Sequence, residues 1–126
     1  MTEETKPQTF AIAITTGTNN PLQTHLAVLN GFTQRKLGNN VTFVLQGEAG
    51  SVANEEVLRT CNGFGLPPIA KFLDDECMKE VEWIIWEFCA NARKQQIFGG
   101  DSIKMTKVSA MVGAQRCHDA DKVMVF

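Results

Sequence analysis

A chain of 126 residues, 44% apolar and 21% charged, suits one globular domain whose core is large enough to need no disulfides. The net charge of −2 argues against nucleic acid or an acidic membrane surface as partner, and no run approaches the ~18 apolar residues of a membrane span. The polar, acid-rich start MTEETKPQ lacks the basic and apolar regions of a signal peptide, so a cytoplasmic protein with four reduced cysteines is expected.

After a tail over residues 1–9, expected to be flexible, FAIAITT (Phe10 to Thr16) is a nearly unbroken apolar run, the pattern of a parallel strand buried on both faces. Asn20 and Pro21 read as the N-cap and first residue of a helix that Gly38 would end. NNVTFVLQ reads as a second strand, GEAGS as a glycine-containing loop, and residues 54–60 as a short helix. Gly63, Gly65 and the Pro67-Pro68 pair then break the chain, and another short helix is expected over Ile69 to Met78.

Val81 to Phe88 reads two ways. Met78, Val81, Ile85, Phe88 and Ala92 share a helical stripe, which would make one helix from Asp74 through Gln96. Six of the eight residues are β-branched or aromatic, however, and an alternating strand and helix order calls for a strand here, ending at Phe88. As a strand it places Trp83 and Trp86 on opposite faces, as core or interface residues. Beyond it come a short helix, Ala90 to Gln96, the loop FGGDSIKM leading into a fourth strand, and a helix capped by Thr106 with Val108, Met111 and Val112 on one face. Lys122 to Phe126 closes the chain as a strand. The sum over residues 10–126 is a single three-layer α/β domain with a mainly parallel sheet of about five strands.

In open parallel sheets, ligands and reactive groups gather outside the carboxyl ends of the strands. Three segments meet that condition: TTGTNNP, GEAGS, and the junction that holds Cys89. A thiol at a helix N-terminus feels unpaired N–H groups and the positive end of the dipole, which favour the thiolate, and Arg93 one turn on would add positive charge. Cys89 is therefore the candidate nucleophile. A buried, inert cysteine is the competing reading of the same residue. Thr16, Gly17 and Asn19 in the first loop, Gly47 in the second, and Asn91 and Arg93 after Cys89 are candidates for supporting or ligand-binding roles.

The other groupings carry less. Cys61 precedes a glycine-rich turn, and Cys77 lies in DDEC, where acids raise a thiol pKa. Cys117, His118 and His25 lack the spacing of a metal site, so no metal is expected. Neither GTNN nor GEAGS completes a nucleotide-binding fingerprint. Glu48 and the Asp74-Asp75-Glu76 run read as solvated acids rather than as a catalytic pair.

The order of FAIAITTGTNNPLQTHLAVLNGF, NNVTFVLQGEAG, a cysteine after the third strand and a closing ADKVMVF resembles the DsrE/DsrF-like family of sulfur-relay proteins, in particular its short YchN-like members. The resemblance spans Phe10 to Phe126 and implies a five-stranded parallel sheet between helices, assembly into homotrimers or homohexamers, and a cysteine at Cys89 that accepts a persulfide sulfur. Such a relay needs no cofactor, only donor and acceptor proteins. The chain departs from the family at Trp86, where short members can carry a second cysteine, and at Lys94, where a glycine usually follows the position of Arg93. Two functions follow as expectations: a persulfide carrier working through Cys89, or a non-catalytic small-ligand-binding or assembly module that keeps the fold.

Overall fold

The computed structural model describes residues 6–95 and 97–126. Its strands β1 (Thr9–Ile14), β2 (Asn40–Leu45), β3 (Glu82–Trp86), β4 (Met105–Val108) and β5 (Lys122–Val125) form one five-stranded sheet in the order β4-β3-β2-β1-β5. Every pairing is parallel, with Ile12 beside Phe43 and Met124, Phe43 beside Trp83, and Trp83 beside Met105. The helices are α1 (Pro21–Lys36), α2 (Glu55–Leu58), α3 (Ile69–Leu73), α4 (Glu87–Ala92) and α5 (Ala110–Asp119), with 3-10 turns at Gly47–Val52 and Glu76–Met78. Among the described residues no helix is long and apolar enough to cross a membrane.

The main core lies on the sheet face that carries Ile12, Ile14, Phe43, Leu45, Trp83 and Ile85, against Ala27 and Val28 of α1. Trp83 stacks on Phe43 with ring centroids 4.2 Å apart, a contact worth about 1 kcal/mol beyond its burial. Residues of opposite parity, Glu82, Ile84 and Trp86, face α5: Arg116 Nε donates to Glu82 Oε1 at 2.9 Å, and Gly113 seats against the Trp86 indole. On this second face Ala11 and Ala13 are buried, whereas their β5 neighbours Val123 and Val125 remain 48% and 66% exposed.

Asn20 caps α1 through its Oδ1, which accepts from Gln23 N–H at 3.2 Å, with Pro21 opening the helix as expected. His25 is fully buried in α1, and its Nδ1 accepts the Gly63 N–H at 2.9 Å, which ties the glycine-rich loop to the helix. Burial pushes the imidazole pKa down, and the nearby Pro67 carbonyl opposes this less strongly. His25 on α1 and the Cys117-His118 pair on α5 thus lie on opposite faces of the sheet.

Several boundaries differ from expectation. β1 starts at Thr9, and the Gln8 carbonyl already accepts Asn40 N–H at 2.8 Å; for residues 1–5 the expected tail falls outside the described residues. The Val81 to Phe88 segment is a strand, but pairing stops at Trp86, opposite the last residue of β4, so α4 begins at Glu87 rather than Ala90. Its expected end at Gln96 lies outside the described residues. The helix expected over Ile69 to Met78 is split, because Asp75 Oδ1 accepts the Cys77 N–H at 3.0 Å and starts a separate turn. Finally, Thr106 is not a cap: it lies exposed in β4 with Val108, and Ser109 Oγ caps α5 by accepting Val112 N–H at 3.3 Å. Met111 and Val112 consequently point outward, and Gly113 is the α5 residue buried on the sheet.

Candidate functional site

The segments after β1, β2 and β3 meet at the carboxyl end of the sheet. Cys89 is the third residue of α4 and partly exposed, and the Gly47 N–H donates to its Sγ at 3.0 Å. Gly47 aims this donor from a left-handed backbone with φ +61°, a conformation that glycine adopts without steric cost. The 3-10 turn is also clamped to the far side of α4. Arg93 Nη2 pairs with Glu48 Oε1 at 2.6 Å, Arg93 Nη1 donates to the Cys89 carbonyl at 3.2 Å, and Gln95 Nε2 donates to the Gly50 carbonyl at 3.3 Å.

The first loop closes the other side of the turn. Gly17 is buried, and a side chain there would overlap Ser51 Oγ and the Glu48 carbonyl, so only glycine permits this approach. Thr18 N–H donates to Ser51 Oγ at 3.1 Å, and Ser51 Oγ donates to the Glu48 carbonyl at 2.8 Å. Thr16 and Asn19 shape their own loop: Thr16 Oγ1 shares a 3.0 Å hydrogen bond with Thr24 Oγ1, and Asn19 Oδ1 accepts Gly17 N–H at 2.9 Å. Asn91 is exposed on α4, and its side chain makes no hydrogen bond among the described residues.

The structure therefore brings Gly47 and Arg93 directly to Cys89, and Gly17 to the same turn through Ser51 and Glu48. Arg93 spends its charge on Glu48 rather than on the sulfur. The α4 dipole is also small, since the helix has only six residues and opens on Glu87. The donor aimed at the thiol is instead a backbone N–H from a different segment, 42 residues away in sequence. Sequence reasoning did not foresee the roles of Ser51 and Gln95. The glycines of GEAGS were the available signal, because a glycine-rich turn after a strand marks a close approach of backbone to another group.

The other thiols are placed differently. Burial pushes the pKa of Cys61 and of Cys117 up. Burial also raises that of Cys77, and the Asp75 carboxylate beside it raises it further.

The two departures noted in the sequence have structural consequences. Lys94 sits at φ +51° just past α4, where its N–H donates to the Asn91 carbonyl at 3.0 Å and Gln95 N–H donates to the Ala90 carbonyl at 3.0 Å. This is the paired bonding of a Schellman terminator, in which glycine avoids a cost of about 1–2 kcal/mol that a side chain incurs in left-handed backbone. Trp86 packs on Gly113 of α5 with its Nε1 buried and, among the described residues, without a hydrogen-bond partner.

No family model and no curated protein sequence matches this chain. Its backbone does have a solved counterpart, the crystal structure of the YchN protein from E. coli, which superposes with a TM-score of 0.69 over 96% of this chain and 100% of that one. The chain has the DsrE-like fold of YchN. Sequence identity between the two is 14%, so the likeness carries the sheet, its order and its helical layers. Within this DsrE-like frame, Cys89 stands at the carboxyl end of a central strand, under the turn that follows the neighbouring one.

Proposed function

We propose that this DsrE-like protein is a persulfide carrier, a sulfurtransferase subunit acting through Cys89 with no cofactor. The supporting observation is the Gly47 N–H held 3.0 Å from the sulfur of a partly exposed thiol. A fixed donor at that distance stabilises negative charge on sulfur without reorganisation during the reaction.

In the loading step, Cys89 as thiolate attacks the outer sulfur of a donor protein's persulfide, R–S–SH. The new bond is Cys89 S–S; the donor's S–S bond breaks, its thiolate R–S⁻ departs, and Cys89–S–SH remains. In the delivery step an acceptor thiolate attacks that outer sulfur, forms its own persulfide, and returns Cys89 as thiolate. Each step passes one sulfur atom with no net change of electrons. The Gly47 N–H serves the anionic sulfur of Cys89 before the first step and after the second. The Glu48–Arg93 pair and Gly17 act indirectly, by holding the turn that bears Gly47.

The carrier is further proposed to work as a homotrimer or homohexamer. Val123 and Val125, exposed on the thinly covered face of the sheet, support an assembly that buries them.

Intact-mass measurement tests the central step. Wild type exposed to a persulfide donor gains one sulfur atom and loses it to an added acceptor thiol, and Cys89→Ser gains none. Equal loading of both proteins would reject the carrier and leave the binding or assembly module as the better reading. Light scattering tests the assembly, and a monomer at micromolar concentration would contradict it.

A further inference from the structure

At the opposite end of β3 from Cys89, a cavity of about 380 Å³ opens beside Val81 and Trp83, between the end of α3 and the approach to β4. This volume is at the lower end of the roughly 300–1,000 Å³ of small-molecule sites, so it suits a compact body such as a single ring. Leu73, Met78 and Ile103 join Val81 and Trp83 as its apolar lining.

The charges at its mouth differ in what they already serve. Asp74 is bound by Arg59 Nη2 at 2.8 Å, and Lys79 by Glu76 at 2.9 Å. Lys104 makes no ion pair among the described residues, and the Ser102 hydroxyl makes no hydrogen bond among them. Ser102 has its N–H engaged with Glu55 Oε1 at 3.0 Å, which fixes the backbone beside the cavity. A cationic ligand would have to displace Arg59 from Asp74, whereas an anion meets an uncommitted ammonium.

We propose that this cavity is a binding site for a small carboxylate with a compact aromatic or branched apolar body. The body lies against Val81, Trp83 and Ile103, and the carboxylate accepts from Lys104 Nζ and the Ser102 hydroxyl. The site is separate from the thiol chemistry and does not depend on it.

The test is an amide chemical-shift titration of the ¹⁵N-labelled full chain with benzoate, and with benzamide as its neutral isostere. Benzoate is expected to shift the Met78, Val81, Ile103 and Lys104 amides with an affinity of millimolar or better, against about fivefold weaker binding of benzamide. Lys104→Glu, a change at an exposed position whose spectrum reports on folding, is expected to remove the preference for the anion. Absence of shifts at these amides at about 10 mM benzoate would overturn the proposal. Equal binding of benzoate and benzamide that Lys104→Glu leaves unchanged would overturn it as well, because the cavity would then be an unselective apolar crevice.

Discussion

Cys77 and Cys89 both lie in short helical turns beside an acid and a base, and they meet opposite surroundings. Cys77 follows Asp75, whose carboxylate accepts the Cys77 backbone N–H at 3.0 Å and also bears on its thiol. Cys89 receives the Gly47 N–H on its sulfur at 3.0 Å, and the acid nearby, Glu48, is occupied by Arg93 at 2.6 Å. A helical turn around a thiol therefore does not set its chemistry. What matters is whether folding directs an acceptor or a donor at the sulfur, and for Cys89 the donor comes from another strand's loop.

The largest expected difference is in reactivity. At neutral pH, iodoacetamide should modify Cys89 at least about tenfold faster than Cys77, as followed by peptide mapping over time. Because burial and Asp75 push the Cys77 thiol pKa up, its thiolate forms at higher pH than that of an ordinary thiol, so its alkylation should climb on the alkaline side. Asp75→Asn removes the carboxylate and should narrow the gap, accelerating Cys77 by roughly threefold and leaving Cys89 unchanged. If Cys77 were already as fast as Cys89 in wild type, the contrast between the two sites would be lost.

Gly17→Ala acts on the other member of the pair. The added methyl meets Ser51 and the Glu48 carbonyl, which should displace the turn, slow Cys89 alkylation and lower stability by about 1–3 kcal/mol, with Cys77 unaffected. Denaturant unfolding gives the stability, and the mapping assay gives the rate. The smallest effect is expected from Lys94→Gly, which should stabilise the protein by about 1 kcal/mol by relieving left-handed backbone beside α4. Gly38 already does this at the end of α1, where Asn39 N–H donates to the Gln34 carbonyl at 2.9 Å in the same bonding pattern. An unchanged unfolding midpoint for Lys94→Gly would mean that the two terminators are equivalent.

The frame around these sites was legible in the sequence where local pattern and tertiary setting agree. FAIAIT is apolar on both faces because β1 runs between β2 and β5, with Phe10, Ile12 and Ile14 in the main core and Ala11 and Ala13 buried on the other face, and Asn20-Pro21 marked the start of α1. The placement of Cys89 after the third strand followed from the β-branched and aromatic run before it. Its surroundings were not legible, because the contacts that build them link residues 42 and 45 positions apart. Arg93 illustrates this: helical spacing put it one turn from Cys89, and the fold turned its charge to Glu48. Thr106 has the residue type of a cap, but pairing of Val108 with Trp86 extends β4 to the residue before Ser109, so Ser109 takes that role.

The central claim is that the donor on its sulfur makes Cys89, among the four cysteines, the one that accepts sulfur. Peptide mapping of the full chain after brief exposure to a persulfide donor tests it most directly. The expected result is one added sulfur atom on the peptide containing Cys89 and none on those containing Cys61, Cys77 or Cys117. Sulfur distributed evenly over the four peptides, or gathered on the one containing Cys77, would contradict it.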